Sequence, residues 1–190
     1  MYPATKRILD FFASLVALIL LSPFFLLISV IIKASSKGPA FFRQKRIGAR
    51  KKQFTMIKFR TMRSDAPKDT PTHLLENPEQ YVTKAGKFLR RYSLDELPQL
   101  INIVRGEMSF VGPRPALWNQ FDLMAMRERH GADKIPPGLT GWAQVNGRDD
   151  LPNPVKAKYD GEYAEKMSFS MDFEIIKMTF AKVKSGEGAV

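Results

Sequence analysis

The chain contains no cysteine, only two histidines, and no acidic residue between Lys33 and Arg63. The absence of cysteine excludes a disulfide framework, a thiol nucleophile and a cysteine-ligated zinc or iron–sulfur site. Apolar residues are plentiful, because 44% of the 190 residues are hydrophobic and 11% are aromatic. This composition excludes a wholly disordered chain and predicts a domain with a sizeable core.

The net charge of +11 comes from one segment. Eleven Lys and Arg lie between Lys33 and Arg63, and the other 19 basic residues equal the 19 acidic residues in number. This basic segment directly follows the most apolar part of the chain, where an anionic lipid surface attracts each Lys or Arg by about 1 kcal/mol. A solvated charged face is the alternative interpretation.

Residues 11–32 form an uncharged apolar run of 22 residues. A straight helix of that length reaches about 33 Å, enough to cross the hydrocarbon core of a bilayer. Ser22 and Pro23 lie at its middle, where proline removes a helical hydrogen bond and the serine hydroxyl is able to donate to a freed carbonyl. Basic residues flank both ends, which the positive-inside rule assigns to the cytoplasmic side. A re-entrant helix–break–helix and a kinked spanning helix are the two alternatives.

The rest of the chain is predicted to be mainly α-helical with one small β-hairpin. The patterns predict hairpin strands at 41–44 and 53–60, a surface loop at 64–80, helices at 85–92, from Asp95 to Gly106, at 117–129 and at 171–184, and an irregular segment at 112–115. The last helix alternates apolar residues with lysines, which is typical of a helix lying on a core or on a membrane surface.

The tetrad Ser93-Leu94-Asp95-Glu96 carries the most specific chemical signal. It fits a capping box, in which Ser93 caps a helix and Glu96 bonds back to it. Pro98 disfavours this interpretation and favours a helix that begins at Asp95, because only then does its missing N–H fall where no hydrogen bond is needed. Two adjacent ionised carboxylates repel each other, and a Mg²⁺ ion shared with substrate phosphates relieves that repulsion.

Phosphate ligands would come from basic residues elsewhere in the chain. Arg114 stands between two prolines, which reduces the entropy cost of presenting its guanidinium. Lys58, Arg90 and Arg148 are the other candidates. Each one alone is equally compatible with a solvated surface charge, so convergence on Asp95 is the test of the group.

Five features of the sequence occur together and in a fixed order. They are the Ser22-Pro23 break and the motifs KFRTM at 58–62, SLDELPQL at 93–100, GEMSFVGPRP at 106–115 and PGLTGWAQVNGR at 137–148. With them the chain resembles the monotopic phosphoglycosyl transferases, the bacterial sugar transferase family, from residue 1 to about residue 180. This resemblance implies a monotopic membrane protein with amphipathic interfacial helices. By this resemblance, residues 1–35 would form a re-entrant helix broken at Ser22-Pro23, and residues 36–190 would form the catalytic domain.

The resemblance also implies an enzyme at the cytoplasmic face of the bacterial inner membrane. It would move a phospho-sugar from a UDP-sugar to undecaprenyl phosphate and release UMP. Asp95 would attack the sugar-bearing phosphate and contact the required Mg²⁺, and Glu96 would act as an acid–base group or hold the geometry. The residues expected to bind phosphate are Lys58, Arg90, Arg114 and Arg148.

Two other functions fit parts of the same sequence. A membrane-tethered basic module would bind anionic lipid or nucleic acid through residues 33–63 without catalysis. Nucleic acid is disfavoured as a partner, because the basic residues lack an organised set of stacking aromatics. A hydrolase of UDP-sugars or lipid diphosphates would use the same acids and Mg²⁺, and only capture of the sugar by added polyprenol phosphate distinguishes it from a transferase.

Overall fold

The computed structural model describes residues 2–67, 75, 77–147 and 150–185. Within these residues the chain forms seven α-helices, which are α1 Tyr2–Ser35, α2 Lys84–Arg91, α3 Gln99–Val104, α4 Phe121–Arg129, α5 Trp142–Val145, α6 Asn153–Lys166 and α7 Phe169–Ser185. The strands are β1 Phe41–Ile47, β2 Gln53–Phe59, β3 Ser109–Val111, β4 Ala116–Leu117 and β5 Gly138–Thr140. The prediction of a mainly helical protein with a small hairpin is confirmed.

The hairpin of β1 and β2 is antiparallel and pairs Phe41 with Phe59 at its open end. Its tip is a short 3₁₀ turn in which Arg50 and Lys51 adopt left-handed backbone angles, with φ of 53° and 60°. The short strand β4 adds to the other edge of β1. The predicted hairpin is therefore correct, and its strand β1 is the central strand of a three-stranded sheet.

The motifs at 106–115 and 137–148 meet in a second, parallel pair of strands, β3 and β5. The two backbones approach closely, and a Cβ on Gly138 would lie only 2.1 Å from the amide nitrogen of Gly112. The Gly138 amide donates to the Pro113 carbonyl at 2.9 Å. Glycine is thus required where these motifs touch, because any side chain at Gly138 would force them apart.

Two predicted helix starts are wrong. The helix expected at 117–129 begins at Phe121, because Ala116 and Leu117 belong to β4. The helix expected from Asp95 is divided into a 3₁₀ turn, Leu94–Glu96, and α3, which begins at Gln99 after Pro98. Residues 68–74 and 76 of the predicted loop lie outside the described residues, and its last part, Pro78–Tyr81, forms a 3₁₀ turn. Helix α6 was not predicted.

Helix α1 continues through Pro23 as one 34-residue helix rather than as two helices separated by a break. The Ser22 hydroxyl donates to the carbonyl of Ile19 at 2.8 Å. That carbonyl is the one that the missing N–H of Pro23 leaves free, so the expected role of Ser22 in satisfying it is confirmed. By length and composition, α1 is apolar enough to cross a membrane.

One face of α1 packs on the domain over nearly its whole length. Its first turns bury Lys6, Asp10 and Ser14, its middle packs on a core cluster that contains Met56 and Ile103, and its end buries Ile32 against Phe59. The opposite face is exposed and apolar, with side chains that include Ile8, Leu9, Phe12, Val16, Ile19, Leu20, Phe24, Leu27, Val30 and Ile31. Helix α1 is therefore a fixed part of the domain surface with one large apolar face.

The buried charges of α1 are paired with the domain. Lys6 forms an ion pair with Asp172 of α7, and Ser109 of β3 donates to Asp10 at 2.7 Å. The Tyr163 hydroxyl of α6 donates to Asp172 at 2.6 Å. Because buried charges are costly unless paired and hydrogen-bonded, this network holds the start of α1 in one position against three other elements.

Candidate active site

The carboxylates of Asp95 and Glu96 lie in the 3₁₀ turn that joins α2 to α3. The capping-box interpretation of this tetrad is wrong, since the Ser93 side chain makes no capping hydrogen bond and its backbone is left-handed, with φ of 53°. Glu96 instead accepts hydrogen bonds from side chains of other elements. The turn at 93–96 therefore presents the Asp95 and Glu96 side chains to residues of other elements rather than capping a helix.

Glu96 joins two of the predicted phosphate ligands. Its Oε1 accepts from Lys58 Nζ at 2.6 Å and from Arg114 Nη1 at 3.4 Å. Burial acts to raise the pKa of Glu96, but the positive charges of Lys58 and Arg114 outweigh burial and lower the pKa to about 2. Glu96 is consequently ionised at neutral pH and holds two cations at the site.

Asp95 has the opposite electrostatic environment. Its side chain is buried in a residue only 8% exposed, and burial raises its pKa above the ordinary value, a shift that Lys58 and Arg90 oppose and Glu96 reinforces. Adjacent acids whose pKa values move in opposite directions have different roles in a site. Asp95 is therefore the more basic carboxylate of the pair.

Arg90 comes from the last turn of α2 and is fixed by a hydrogen bond from its Nε to the Thr61 hydroxyl at 2.9 Å. Burial lowers the pKa of its guanidinium, and the negative charges of Asp95 and Glu96 counteract that effect. Arg90 therefore adds a third cation beside the two acids.

The segment that presents Arg114 is fixed at three successive carbonyls. Pro113 and Pro115 have no N–H, so the segment is held through its oxygens. The Gly138 amide donates to Pro113, Arg127 Nη1 donates to Arg114 at 2.9 Å, and Arg46 Nη1 donates to Pro115 at 2.9 Å. The expected pre-organisation of Arg114 is thus a property of its neighbours as well as of the two prolines.

Arg127 is itself held by a buried ion pair with Asp160 of α6. Its Nε and Nη2 lie 2.8 Å and 2.7 Å from Asp160 Oδ2, and the Asp160 side chain is 1% exposed. Burial raises the pKa of Asp160, and the Arg127 charge opposes that shift. Sequence reasoning missed this pair, because 33 positions separate its members and neither has a local motif.

Asn102 was also missed, and it connects α3 to β2. Its Oδ1 accepts from the Ile57 amide at 3.1 Å, and its Nδ2 donates to the Thr55 carbonyl at 2.8 Å and to Glu107. The side chain is fully buried. It therefore fixes the helix that follows the acids against the strand that carries Lys58, and so sets the distance between Lys58 and Glu96.

The structure brings most of the predicted site residues into one cleft. Its walls include Lys58, Arg90, Asp95, Glu96 and Arg114. Arg148 lies outside the described residues. Ser22 and Pro23, which were predicted for the membrane helix, lie in α1. Of the six residues predicted to bind substrate or react with it, five thus line the same cleft, which the sequence alone could not establish.

The acids of this cleft fit Mg²⁺ better than a metal that needs a complete protein cage. Across residues 2–67, 75, 77–147 and 150–185 no three acidic or histidine side chains lie together as a metal cluster. A site of one or two carboxylates is what Mg²⁺ uses when substrate phosphates and water supply its other ligands. Structural zinc requires four ligands from the protein, and the described residues of the cleft do not offer them.

These features define a small domain that carries an apolar N-terminal helix and a cleft in which two acids face three cations. The profile of the family described as bacterial sugar transferase matches residues 1–186. The chain belongs to the bacterial sugar transferase family, as its motifs predict.

Curated relatives agree with this membership. The uncharacterized sugar transferase EpsL of Bacillus subtilis (strain 168) is 38% identical over 185 residues, which cover 96% of this chain and 89% of EpsL. The UDP-glucose:undecaprenyl-phosphate glucose-1-phosphate transferase of Escherichia coli (strain K12) is 40% identical over 187 residues, which cover 93% of this chain but 39% of that protein.

A third relative is named for a different sugar. The UDP-N-acetylgalactosamine-undecaprenyl-phosphate N-acetylgalactosaminephosphotransferase of Aeromonas hydrophila is 34% identical over 196 residues, which cover 99% of this chain and 45% of that protein. The chain thus spans most of EpsL and less than half of the two relatives whose names state a substrate.

The Arg127–Asp160 pair generates a stability prediction. We expect Asp160→Leu to lower the free energy of unfolding by about 3–5 kcal/mol, because Arg127 would remain as a buried unpaired charge. The double variant Arg127→Met/Asp160→Leu should recover most of that loss, since an apolar pair removes the charge. Thermal and urea unfolding in detergent measure both effects.

The exposed pair of Lys51 and Glu128, with side chains 49% and 54% exposed, provides the control. Glu128→Leu should change the free energy of unfolding by less than about 1 kcal/mol. A double variant that remains as unstable as Asp160→Leu would contradict the role given to the buried charge.

Proposed function

We propose that this protein transfers a phospho-sugar from a UDP-sugar to undecaprenyl phosphate, with release of UMP, through a covalent intermediate on Asp95. The observation that carries the proposal is the position of Asp95 in a cleft with Lys58, Arg90 and Arg114. Family membership and relatives named as undecaprenyl-phosphate transferases support the same reaction.

In the first step a carboxylate oxygen of Asp95 attacks the β-phosphorus of the UDP-sugar. The bond from that phosphorus to the bridging oxygen breaks, and the bridging oxygen leaves with UMP. A carboxylate and a diphosphate repel each other, so the attack requires cations that neutralise the substrate charge. Lys58, Arg90 and Arg114 are fixed beside Asp95 and supply this neutralisation.

In the second step a phosphate oxygen of undecaprenyl phosphate attacks the same phosphorus. The acyl phosphate bond to Asp95 breaks, and the products are undecaprenyl diphosphate-sugar and the free carboxylate. Division into two displacements lets one cluster of cations serve first a soluble donor and then a lipid acceptor. Asp95 attacks as a carboxylate, and the charges of Lys58 and Arg90 favour that ionised form against the effect of burial.

Glu96 acts as an ionised clamp on Lys58 and Arg114 rather than as a proton carrier. Its pKa of about 2 leaves it without a proton to donate at neutral pH, and both cations contact its Oε1. Of the two roles expected for Glu96, this favours holding the catalytic geometry.

Mg²⁺ bound at this site would reduce the charge on the transferred phosphate. Asp95 is the protein group that would contact it, with substrate phosphates and water as the other ligands. Arg148 remains a further predicted phosphate ligand.

Helix α1 is proposed to enter and leave the same leaflet at the cytoplasmic face of the inner membrane, with Pro23 bending the continuous helix rather than dividing it. A helix packed on the domain from Lys6 to Ile32 does not rise freely through a bilayer, and its exposed face is apolar. Helix α7 exposes Phe169, Phe173 and Phe180 and fits an amphipathic helix at the interface. The basic segment from Lys33 to Arg63 would contact anionic lipids.

The nucleophile is tested with Asp95→Asn. Wild-type protein should release UMP from at least one of a panel of UDP-sugars when Mg²⁺ and undecaprenyl phosphate are present. The variant should lose at least about 10³-fold of that rate, because an amide is not a nucleophile for phosphorus. Mass spectrometry should detect a sugar-phosphate adduct on the peptide that contains Asp95.

The exposed Asp122 on α4 gives a matched control, and Asp122→Asn should retain the wild-type rate. If Asp95→Asn turns over as fast as wild type, the covalent mechanism is wrong. UMP release without sugar capture by the lipid would indicate a hydrolase, and lipid binding without any turnover would indicate the basic binding module.

The clamp role of Glu96 is tested by pH dependence. We expect Glu96→Gln to lower the rate of UMP release by about 10- to 100-fold at every pH from about 6 to 9, because one electrostatic interaction is lost. The pH profile should keep its shape, since a carboxyl with a pKa of about 2 does not titrate in this range. A profile whose acidic or basic limb disappears in the variant would show proton transfer instead.

The topology of α1 is tested with single cysteines, because the native chain has none. Ala4→Cys and Lys37→Cys place thiols at two exposed positions, one near each end of the helix. In sealed inner-membrane vesicles an impermeant maleimide should label both from the cytoplasmic side only. Labelling of the two positions from opposite sides would establish a spanning helix.

A further inference from the structure

Arg60 follows the last residue of β2 and is 5% exposed. Its guanidinium leaves the strand and bonds the chain where α1 ends. Nη2 donates to the Ser36 carbonyl at 2.7 Å and to the Ser36 hydroxyl at 3.0 Å, and Nη1 donates to the Lys37 carbonyl at 2.6 Å. One side chain thus holds two successive carbonyls at the exit of α1, where the helix ladder leaves carbonyls unpaired.

Gly38 lies directly against this guanidinium. Its backbone has φ of +124°, and a Cβ there would lie 2.0 Å from Arg60 Nη1. A side chain at position 38 would therefore displace the guanidinium as well as strain the backbone. The contact consequently needs two features, the paired N–H donors of the Arg60 guanidinium and a residue without a side chain at position 38.

The same strand carries Lys58, two residues earlier, whose Nζ bonds Glu96. Between them Phe59 is 1% exposed and shares a core cluster with Ile32 of α1. Its ring lies 5.2 Å from that of Phe25 of α1. The last two residues of β2 and the residue that follows them thus contact Glu96, the side of α1 and the end of α1.

We propose that Arg60 is a positioning residue that fixes the end of α1 relative to β2, the strand that carries Lys58. It thereby sets the depth in the bilayer at which the site meets a lipid-borne phosphate. The inference rests on the proposed function and goes beyond it by assigning acceptor access to Arg60, which lines the cleft but bonds the end of α1 rather than the two acids. The donor reaches the site from water, so its reaction does not depend on this depth. The acceptor phosphate lies at a depth set by the bilayer, so its reaction does.

A planar fork is needed for this task. Arginine presents paired donors in a rigid geometry, whereas lysine presents one flexible point charge. Arg60→Lys should therefore keep the charge but hold the two carbonyls less well than the native residue.

The test compares Arg60→Gln, Arg60→Lys and Gly38→Ala with wild type. With undecaprenyl phosphate in phosphatidylethanolamine–phosphatidylglycerol vesicles, we expect KM for the acceptor to rise about tenfold in Arg60→Gln and Gly38→Ala, and less in Arg60→Lys. The UMP burst without acceptor, and KM for a short-chain polyprenyl phosphate in detergent, should change less than about twofold. Arg129→Gln is the matched control, because Arg129 is an exposed residue of α4 that lies outside the cleft and outside the basic segment.

A second readout does not depend on activity. Nitroxide labels at Lys37→Cys and Lys45→Cys, both exposed positions, should give one narrow distance distribution in the otherwise native chain. Arg60→Gln and Gly38→Ala should broaden it, and Arg129→Gln should not.

The outcomes separate the two proposals. An unchanged distance distribution, or an equal loss in burst, detergent and vesicle assays, would overturn the positioning role of Arg60. Broadened distances in the variants, together with no UMP burst from the wild-type protein, would reject the proposed function and leave Arg60 as the residue that fixes α1.

Discussion

The ion pair between Lys58 and Glu96 is the interaction on which the site depends. Two adjacent carboxylates are partly withdrawn from water at this point, and such burial is tolerated only when cations compensate it. Lys58 and Arg114 compensate Glu96, which lets Asp95 remain the more basic acid of the pair. The opposite pKa shifts of the two neighbouring acids therefore follow from their different contacts with these cations.

The surrounding fold keeps these cations in place. Asn102 bonds β2 to α3, and Arg127, held by Asp160, bonds the backbone of Arg114. Each is a buried polar group whose partners are satisfied, and such networks define one arrangement because the alternatives leave unpaired groups in the core.

The sequence was informative where the physical signal is local. The hairpin, α2, α7 and the hydrogen bond from Ser22 to Ile19 were all predicted, because alternation, helical periodicity and proline chemistry act within a few residues. The capping box at Ser93 was a wrong interpretation for an instructive reason. The residues 93–96 do match the capping-box pattern, but Glu96 bonds Lys58, 38 positions away, instead of bonding back to Ser93.

Sequence alone determined the apolar helix, the concentration of positive charge after it, the acid pair and, through its motifs, the family. Only the tertiary structure decided that α1 lies along the domain, that Lys58, Arg90 and Arg114 converge on one acid pair, and that Arg60 holds the end of the helix. The reason is physical. Composition and periodicity report how a residue interacts with its chain neighbours and with solvent, whereas the strength of a buried charge depends on partners that folding brings from distant positions.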